Sequence, residues 1–383
     1  MTRVLEGFRV EFAEWVANAL PEEWRDISRG TEEERAVEIR RRWGEMLFEA
    51  GWAAPSWPPE YGGRGLSDGA DLIVMQELVA AGAPEALNSN GIHIFGNILL
   101  RYGTEEQKER YLRPMLDHTE LWCQGFSEPD AGSDLASLRT RAIDSGDHFI
   151  VRGQKVWTSY AQYAHRCYLL VRTSVTDLKH TGISLMILDM QQKGITVRPL
   201  TTITGSAEFN EVFLDDVVIP SSDLVGAQGD GWKIATEALT LERAFSFAER
   251  SLRLERELAN VIALVSRRDE TNGAGLDPCV TERILDSYID TTLMRSLIKR
   301  IIAERHGDLG ILPSIAKLHW SESHQRLLGV AFDALGTDVD AIDNEEWVKA
   351  YMFTRGEAIY AGTSEIQRNL IAKALGLPTS KTA

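Results

Sequence analysis

The pattern of apolar and polar positions divides the chain into three blocks, and the first block is helical. Over about the first 120 residues the helical spacing is carried by TEEERAVEIRRRWGEMLFEAGW, SDGADLIVMQELVAAGA and TEEQKERYLRPML. Each segment opens with Ser or Thr and nearby acidic residues, a composition typical of a helix N-terminus. We therefore expect helices in this block, with Ser67 and Thr104 as N-caps.

The second block, from about residue 121, has short runs that are typical of β-strands. Turn-rich pieces such as DSGD separate the runs at hairpin-like spacing, and no long helical pattern intervenes. The runs are HFIVRGQKVWTS, RCYLLVRT, GISLMILDM, ITVRPL and NEVFLDDVVI. This arrangement predicts an antiparallel all-β unit rather than alternating strands and helices.

The helical pattern returns after PSSDLVGAQGDG and continues to the end of the chain. Its clearest segment is ERILDSYIDTTLMRSLIKRIIAERHG, with apolar residues at i, i+4 and i+8 over several turns. We therefore expect an α+β protein with an N-terminal all-α domain at residues 1–120, a middle β-barrel or β-sandwich domain at 121–228 and a helical C-terminal domain at 229–383.

The composition of the 383 residues narrows the class of function. A net charge of −16 argues against nucleic-acid binding and against docking on anionic lipid. The three cysteines, Cys123, Cys167 and Cys279, are scattered, which fits a reducing compartment. No apolar run approaches the ~18 residues of a membrane span. Because the first residues carry three glutamates within their apolar pattern, they do not resemble a signal peptide. We expect a soluble, cytoplasmic protein.

The common nucleotide and metal motifs are absent from the sequence. There is no G-x-G-x-x-G after a strand, no G-x-x-x-x-G-K-[ST] and no H-E-x-x-H. His319 and His324 lie five residues apart on a predicted helix, which is more than one turn, so they do not share a metal-binding face. We expect ordinary core or surface histidines and no metal.

Glu242, in the stretch TLERAF, lies on an apolar helix face. By helical spacing it shares that face with Ala235, Ala238, Leu239 and Phe245. A carboxylate in apolar surroundings costs free energy unless it is paired or takes part in chemistry. The residues alone leave two interpretations open: a glutamate at a helix edge, satisfied by a neighbour or by solvent, or a functional carboxylate.

Two motifs lie close together in the β block. GFSEPDAGSDLAS, at residues 125–137, is a loop whose backbone N–H groups and small hydroxyls suit an electron-rich ring or an anion. KVWTS follows at residues 155–159. Together they closely resemble the acyl-CoA dehydrogenase family. PPEYGGRGLS, YGTEEQKERYL, LDDVVIP and IYAGTSEIQRNLIAKALGLP also resemble family landmarks in family order, so the resemblance covers the whole chain.

The resemblance implies the family fold and an FAD cofactor. That fold has an N-terminal helical domain, a middle antiparallel β domain and a C-terminal four-helix bundle, with FAD between the last two and its far end reaching a neighbouring subunit. The ring would be contacted by Phe126 and Ser127 and covered by the second motif. The resemblance assigns to FAD binding Gln124, Phe126, Ser127, Ser133, Trp157, Thr158, Ser159, Thr363 and Glu365.

The catalytic base of most family members is missing. It is the Glu of a Tyr-Glu-Gly-Thr motif, and the corresponding residues are Tyr360-Ala361-Gly362-Thr363. A subset of the family carries its base on another helix, in a Leu-x-x-Glu-Arg or similar context, and Glu242 matches that position. The resemblance therefore favours Glu242 as the base, with the backbone N–H of Ala361 bonded to the thioester oxygen. It also implies that Ser133, Arg243, Tyr360 and Gly362 contact the substrate.

Two family motifs that grip the pyrophosphate and adenosine of FAD are also missing. The Arg-x-x-Phe-Gly motif is replaced by VSRRDETNGAGLDP, which we expect to be a loop. The Gln-x-x-Gly-Gly motif is replaced by FDALG at residues 332–336. Certain actinobacterial relatives with such losses are α₂β₂ heterotetramers in which a paired subunit provides the grip. We expect such a heterotetramer in preference to a homo-oligomer with altered contacts.

The resulting expectation is an FAD-dependent acyl-CoA dehydrogenase of lipid metabolism. It would convert an acyl-CoA to the trans-2-enoyl-CoA, as in fatty-acid β-oxidation, and pass electrons to an electron-transfer flavoprotein. The intact ring motifs and Glu242 favour this function. Ala361 and the two lost motifs favour the alternative, a non-catalytic or half-site partner subunit. A flavin oxidase or monooxygenase on the same fold fits the lost base but not the retained Glu242.

Overall fold

The computed structural model describes residues 3–25, 27, 33–272, 277–304, 309–336 and 344–378, and residues 3–4, 240–246 and 268–272 by their backbone alone. The chain forms two compact units. The first comprises Met1–Asp26 and Glu32–Glu242, and the second comprises Ile27–Thr31 and Arg243–Ala383. The expected succession of N-terminal helices, a middle β-sheet and C-terminal helices is confirmed.

Helices precede the sheet in the first unit. They are α1 (Arg3–Ala19), α2 (Glu33–Glu49), α3 (Gly69–Ala81), a π-helix (Gly91–Gly96), α4 (Asn97–Tyr102) and α5 (Glu105–Leu116). Helix α2 buries Ile39, Trp43 and Leu47, which recur every four residues. Trp43 and Leu47 join a cluster with Phe12 and Trp52, so α2 is held by its apolar face.

The two predicted N-caps have different outcomes. Thr104 is confirmed, because its hydroxyl accepts the N–H of Gln107 at 3.2 Å while the Gln107 side chain accepts the Thr104 N–H at 3.1 Å. Ser67 is wrong as a cap. Helix α3 begins at Gly69, and it is the carbonyl of Ser67, rather than its hydroxyl, that accepts the N–H of Ala70.

An eight-stranded sheet follows in the first unit. Its strands are β1 (Trp122–Gly125), β2 (Arg141–Asp144), β3 (His148–Ser159), β4 (Arg166–Arg172), β5 (Ile183–Asp189), β6 (Ile195–Leu200), β7 (Phe209–Pro220) and β8 (Leu224–Val225). The spatial order is β6-β7-β3-β2-β4-β5-β8, and β1 pairs with β4. All five predicted runs are strands, and β4 and β5 are buried along most of their length.

The sheet departs from the expected pattern at its short strands. The sequence did not reveal β1, β2 or β8, which have four residues or fewer and show little alternation. Most pairs are antiparallel as expected, but β1 pairs with β4 in parallel, with Cys123 opposite Cys167. Strands β2 and β4 also form one parallel pair of residues. The reason is topological: a long connection through β2 and β3 returns the chain in the direction of β1.

The second unit is helical in its described part. Helix α6 (Gly231–Asn272) starts in the first unit and continues into the second, followed by α7 (Pro278–Glu304), α8 (Leu312–Leu335), α9 (Glu345–Glu357) and α10 (Ser364–Ala374). The core joins α6 to α8 through Leu254, Leu258 and Val261 on α6 and Leu327 and Leu328 on α8. Among the residues that the structure describes, no helix combines the length and apolarity needed to cross a membrane.

The expectation of a loop at VSRRDETNGAGLDP is wrong for its first part. Helix α6 continues through residues 265–272, and residues 273–276 lie outside the described part. The helix continues because Val265 extends the buried stripe of Leu254, Leu258 and Val261 by a further turn. The Asn and Gly residues that favour a loop come only after this stripe has ended.

A buried histidine joins three helices of the second unit. His324 on α8 lies with Nδ1 2.7 Å from Glu357 on α9 and Nε2 2.5 Å from Glu257 on α6. Burial lowers the pKa of His324, but the two carboxylates outweigh burial and raise it to about 10. His324 is therefore a charged core histidine. No cluster of metal-binding side chains occurs among the described residues.

This arrangement predicts a pH-dependent contribution to stability. Because the folded pKa lies above the ordinary 6.5, the stabilisation is complete below pH 6.5 and disappears as the pH rises towards 10. His324→Gln should lower the free energy of unfolding by about 3–5 kcal/mol near pH 6, since Glu357 stays buried without its cation. Urea titrations at pH 6 and pH 10 measure the difference. If His324→Gln lowered the free energy of unfolding equally at pH 6 and pH 10, the assignment of His324 as a charged histidine would be contradicted.

The control is His319→Gln. Within the described part of the chain, the His319 side chain makes one hydrogen bond, between Nε2 and the carbonyl of Asp290 at 2.8 Å. Loss of this hydrogen bond should lower the free energy of unfolding by about 1 kcal/mol.

Candidate active site

The loop at residues 125–137 begins directly after β1 and is anchored at its start. Phe126 is buried, with its ring edge-on to Tyr168 at a centroid distance of 5.6 Å. The next carbonyl, that of Ser127, accepts the N–H of Val156 at 3.0 Å. The structure therefore brings the two sequence motifs together, since Val156 belongs to the second one.

A buried ion pair makes the second connection between the motifs. The Nζ of Lys155 on β3 donates to Glu128 Oε1 at 2.9 Å and to the carbonyl of Phe126 at 3.1 Å. Glu128 also accepts the backbone N–H groups of Arg139 at 2.7 Å and Thr140 at 2.8 Å. The pair is thus bonded to the backbone at the start of the loop, through Phe126, and to the backbone just after its end, through Arg139 and Thr140.

Lys155 and Glu128 remain a charged pair despite their burial. Burial raises the pKa of Glu128, but Lys155 and the hydrogen-bond donors outweigh it and hold the pKa below its usual value. Burial lowers the pKa of Lys155, and Glu128 opposes that shift. Neither residue was predicted from the sequence to belong to the site. The available signal was the alternation in β3, which places Lys155 in register with the buried positions Phe149 and Val151.

Trp157 is exposed on an unusual piece of backbone. The pairing of β3 with β7 shifts between Lys155 and Thr158, which places Trp157 in a bulge. Its φ is +61°, in the left-handed region that side chains other than glycine rarely adopt. Trp157 is 60% exposed, and its indole forms a T-shaped pair with the ring of Phe209 at a centroid distance of 5.9 Å. Much of this side chain is therefore accessible to a ligand.

The other predicted ring contacts differ in their burial. Thr158 is buried, and its hydroxyl has no hydrogen-bond partner in the described part of the chain. Its carbonyl accepts Asn210 Nδ2 at 3.1 Å. Ser159 and Gln124 are partly buried, whereas Ser133 is exposed. The exposed indole of Trp157 and the buried, unpaired hydroxyl of Thr158 are adjacent in the chain, and both suit contact with a polar aromatic ring such as a flavin.

In the second unit, the segment at residues 360–363 is a tight turn before α10. Ala361 has a φ of +54° and Gly362 a φ of +89°. Thr363 caps α10 by accepting the N–H of Ile366 at 3.2 Å, and Gln367 Nε2 donates to the carbonyl of Ala361 at 3.2 Å. No acceptor among the described residues takes the N–H of Ala361. This donor is therefore available to a ligand.

Helix α8 anchors the end of α9, three residues before this turn begins. Glu357, the last residue of α9, is buried and bonded to His324, and its carbonyl accepts Lys317 Nζ at 2.9 Å. Burial and Arg250 lower the pKa of Lys317 to about 8. The guanidinium of Arg250 lies 5.5 Å from the ring of Tyr360, so the first residue of the turn is also packed.

Two further predicted residues lie on helices. Glu365 is exposed in the first turn of α10, where its own backbone N–H and the Thr363 hydroxyl lower its pKa. Glu242 lies within α6, four residues after Ala238, which is buried together with Ala235. The side chains of Glu242 and Arg243 lie outside the described part, so their roles stay predictions.

The chain has N-terminal helices, a β-sheet that carries an exposed tryptophan, and C-terminal helices. Together these features define a class of flavoprotein fold. Three family models match the chain: the acyl-CoA dehydrogenase N-terminal domain at residues 5–119, the middle domain at 123–217 and the C-terminal domain at 229–376. The chain belongs to the acyl-CoA dehydrogenase family. It is an FAD-dependent oxidoreductase.

Known proteins are similar to this chain over nearly its full length. Acyl-CoA dehydrogenase IpdE1 of Mycobacterium tuberculosis (strain ATCC 25618 / H37Rv) is 39% identical and covers 98% of both chains. Among solved structures, the Tcur3481-Tcur3483 steroid ACAD has a TM-score of 0.84 at 29% identity and covers 99% of both chains. The ChsE4-ChsE5 complex from Mycobacterium tuberculosis has a TM-score of 0.82 at 28% identity, again with 99% of both chains covered.

We expect Lys155→Met to destabilise both the loop at residues 125–137 and its connection to the second motif. Without the ammonium, Glu128 is buried beside no cation, which should cost about 3–5 kcal/mol of unfolding free energy. FAD should also be released more readily. Urea unfolding and the flavin content of the purified protein measure the two effects.

The matched control is Lys179→Met. Lys179 pairs with Asp134 of the same loop at 2.7 Å, but both side chains are more than half exposed. Loss of this exposed ion pair should lower the free energy of unfolding by about 0–1 kcal/mol. Equal effects of the two substitutions would contradict a special role for the buried pair.

Proposed function

We propose that the enzyme removes an α-proton and a β-hydride from an acyl-CoA, giving the trans-2-enoyl-CoA, and passes the electrons to an electron-transfer flavoprotein. The observation that carries the proposal is the exposed indole of Trp157 beside the anchored loop at residues 125–137. It supports a flavin ring held at this edge of the sheet. The chain would divide into the domains 1–120, 121–228 and 229–383, which fits a sheet that starts at Trp122 and a helix that starts at Gly231.

We propose the following FAD contacts. Phe126, Ser127, Trp157, Thr158 and Ser159 would hold the ring, with Gln124 and Ser133 beside it and Thr363 and Glu365 at the loop before α10. When bound, FAD accepts the hydride from the β-carbon. The protein must then supply a base for the α-proton and a donor for the thioester oxygen.

Glu242 is the proposed base. Ala361 occupies the position of the usual glutamate, and a methyl group cannot accept a proton. The turn of α6 before Glu242 buries Ala235 and Ala238, and a carboxylate next to such a face is well suited to proton abstraction once substrate excludes water.

The backbone N–H of Ala361 is the proposed donor to the thioester oxygen. It has no acceptor among the described residues, and the left-handed conformation of Ala361 and Gly362 fixes its direction. A donor that is already oriented stabilises developing negative charge without reorganising in the reaction. Ser133, Arg243, Tyr360 and Gly362 are the proposed contacts of the rest of the substrate.

The proposed acyl group is bulky and ring-containing. One similar solved structure is named a steroid ACAD, which supports a CoA thioester derived from a steroid. The replacement of glutamate by alanine at residue 361 is compatible with this proposal, because a small side chain leaves more space next to the thioester.

We propose that the partner is a related subunit in an α₂β₂ heterotetramer, with a homo-oligomer as the alternative. The lost Arg-x-x-Phe-Gly and Gln-x-x-Gly-Gly motifs leave the far end of FAD without its usual grip. Two similar structures carry paired names, Tcur3481-Tcur3483 and ChsE4-ChsE5. Helix α7 also presents Leu285, Tyr288, Ile289 and Leu293 on one side, each more than half exposed. Such a stripe is typical of a protein interface.

Ala361 and the lost motifs also favour a second candidate function. In that case the chain would be a half-site or non-catalytic subunit that supports the active site of a partner. The Glu242 experiment separates the two functions, because it measures chemistry that depends on this chain's own carboxylate.

Glu242→Gln should slow anaerobic flavin reduction by acyl-CoA by roughly 10²-fold or more, because the amide cannot take the proton. FAD should stay bound. The measurement is bleaching of the flavin absorbance with a panel of acyl-CoAs, steroid-derived ones included. Glu249→Gln is the control, since Glu249 lies on the same helix in an ion pair with Arg253. A near wild-type rate in Glu242→Gln would exclude Glu242 as the base.

The chain purified alone should hold substoichiometric FAD, because the grip on the adenosine end is missing. Co-expression with a related subunit should raise the flavin content. Ile289→Asp should weaken that assembly in size-exclusion chromatography, whereas Val175→Asp, at an exposed residue of the first unit, should not. Full FAD occupancy in an isolated homo-oligomer would overturn the heterotetramer and leave the proposed reaction intact.

A further inference from the structure

Tyr160 directly follows the segment Trp157–Ser159 and has a backbone conformation that its residue type does not favour. Its φ is +53°, so the left-handed region contains two bulky residues, Trp157 and Tyr160, within four positions. Such a conformation persists only where the surroundings hold it. The bonds around Tyr160 therefore show what fixes the shape of this segment.

The hydroxyl and the backbone of Tyr160 are both held. The hydroxyl accepts a hydrogen bond from Arg40 Nη1 at 2.6 Å and donates to Glu208 Oε2 at 3.3 Å. The backbone N–H donates to the carbonyl of Glu208 at 2.7 Å. Burial raises the pKa of Tyr160 to about 12, so the phenol keeps the proton that it donates.

Arg40 transmits this hold to the helical part of the first unit. It lies on α2, with Nε donating to the carbonyl of Glu85 at 2.9 Å and Nη2 to Glu85 Oε2 at 3.4 Å. A guanidinium fixed at several donors cannot rotate freely. The position of the Tyr160 hydroxyl is therefore set by α2.

The first turn of α2 provides a second, independent support. Glu33 accepts the N–H of Ala207 at 2.9 Å and the side chain of Gln162 at 3.4 Å. Gln162 also bonds the side chain of Asn210, whose amide holds the carbonyl of Thr158. Helix α2 is thus connected to the Trp157–Ser159 segment by two separate sets of hydrogen bonds.

We propose that Tyr160 and Arg40 are positioning residues that hold Trp157, Thr158 and Ser159 in the conformation that receives the flavin ring. The inference rests on the proposed assignment of this segment to the ring. It adds that the grip on the flavin depends on α2, although no residue of α2 needs to touch the cofactor.

Tyr160→Phe tests this inference in the full-length holoenzyme. Loss of a hydrogen bond to a charged group should raise the FAD dissociation constant by about tenfold or more. The bound flavin should also change its absorbance fine structure and reduction potential, because the indole beside the ring is less well fixed. Tyr163→Phe is the matched control, since the Tyr163 hydroxyl has no partner among the described residues. It should change the dissociation constant less than about twofold.

Arg40→Lys provides a second variant that keeps the charge but loses the fork of donors. It should reproduce the spectral change of Tyr160→Phe, and the double variant should be little worse than either single one. An unchanged flavin spectrum and affinity in both single variants would overturn the inference. So would a fall in affinity that follows the thermal stability of the apoprotein with no spectral change.

The outcome is distinguishable from failure of the proposed function. If wild type and Tyr163→Phe bind FAD and are reduced by acyl-CoA while Tyr160→Phe behaves like them, only the positioning role fails. If wild type binds no flavin, the proposed function fails first.

Discussion

The ion pair between Lys155 and Glu128 joins two segments that are 27 residues apart, and the shape of the proposed ring site depends on it. Taking two charges out of water is costly, so such a pair persists only when hydrogen bonds satisfy both ends. Here the backbone supplies them, through the carbonyl of Phe126 and the N–H groups of Arg139 and Thr140. The pair therefore fixes backbone positions as well as side chains, which gives the loop at residues 125–137 one defined conformation.

The second unit uses the same physical solution at the turn before α10. Lys317 and His324 on α8 both bind Glu357, one through its carbonyl and the other through its carboxylate. Buried cations thus hold the backbone next to each proposed functional segment. The residues that follow these anchors, Trp157 and Ala361, are left-handed. Strained backbone and buried charge occur together because strain requires surroundings that resist relaxation.

Several parts of the fold and the candidate site could be predicted from the sequence because their causes are local. Hydrophobic periodicity predicted the long helices and the five longer strands, and the Thr104 capping box is contained within four residues. Local signals failed where a distant contact decides. The strand β1 is defined by its pairing with β4, and the alternation of β3 marked Lys155 as inward-facing without indicating which carboxylate it meets.

The sequence by itself determined the family and the cofactor class and predicted the loss of the usual base, because these depend on residue types in a fixed order. Only the tertiary structure decided which residues hold those motifs in shape. Arg40 and Tyr160 are 120 residues apart, and nothing in either segment predicts their hydrogen bond. The same is true of His324, which the sequence left as an ordinary histidine and the folded chain surrounds with two carboxylates. The physical reason is that burial and partner charges, which set the role of an ionisable group, exist only once distant segments have packed.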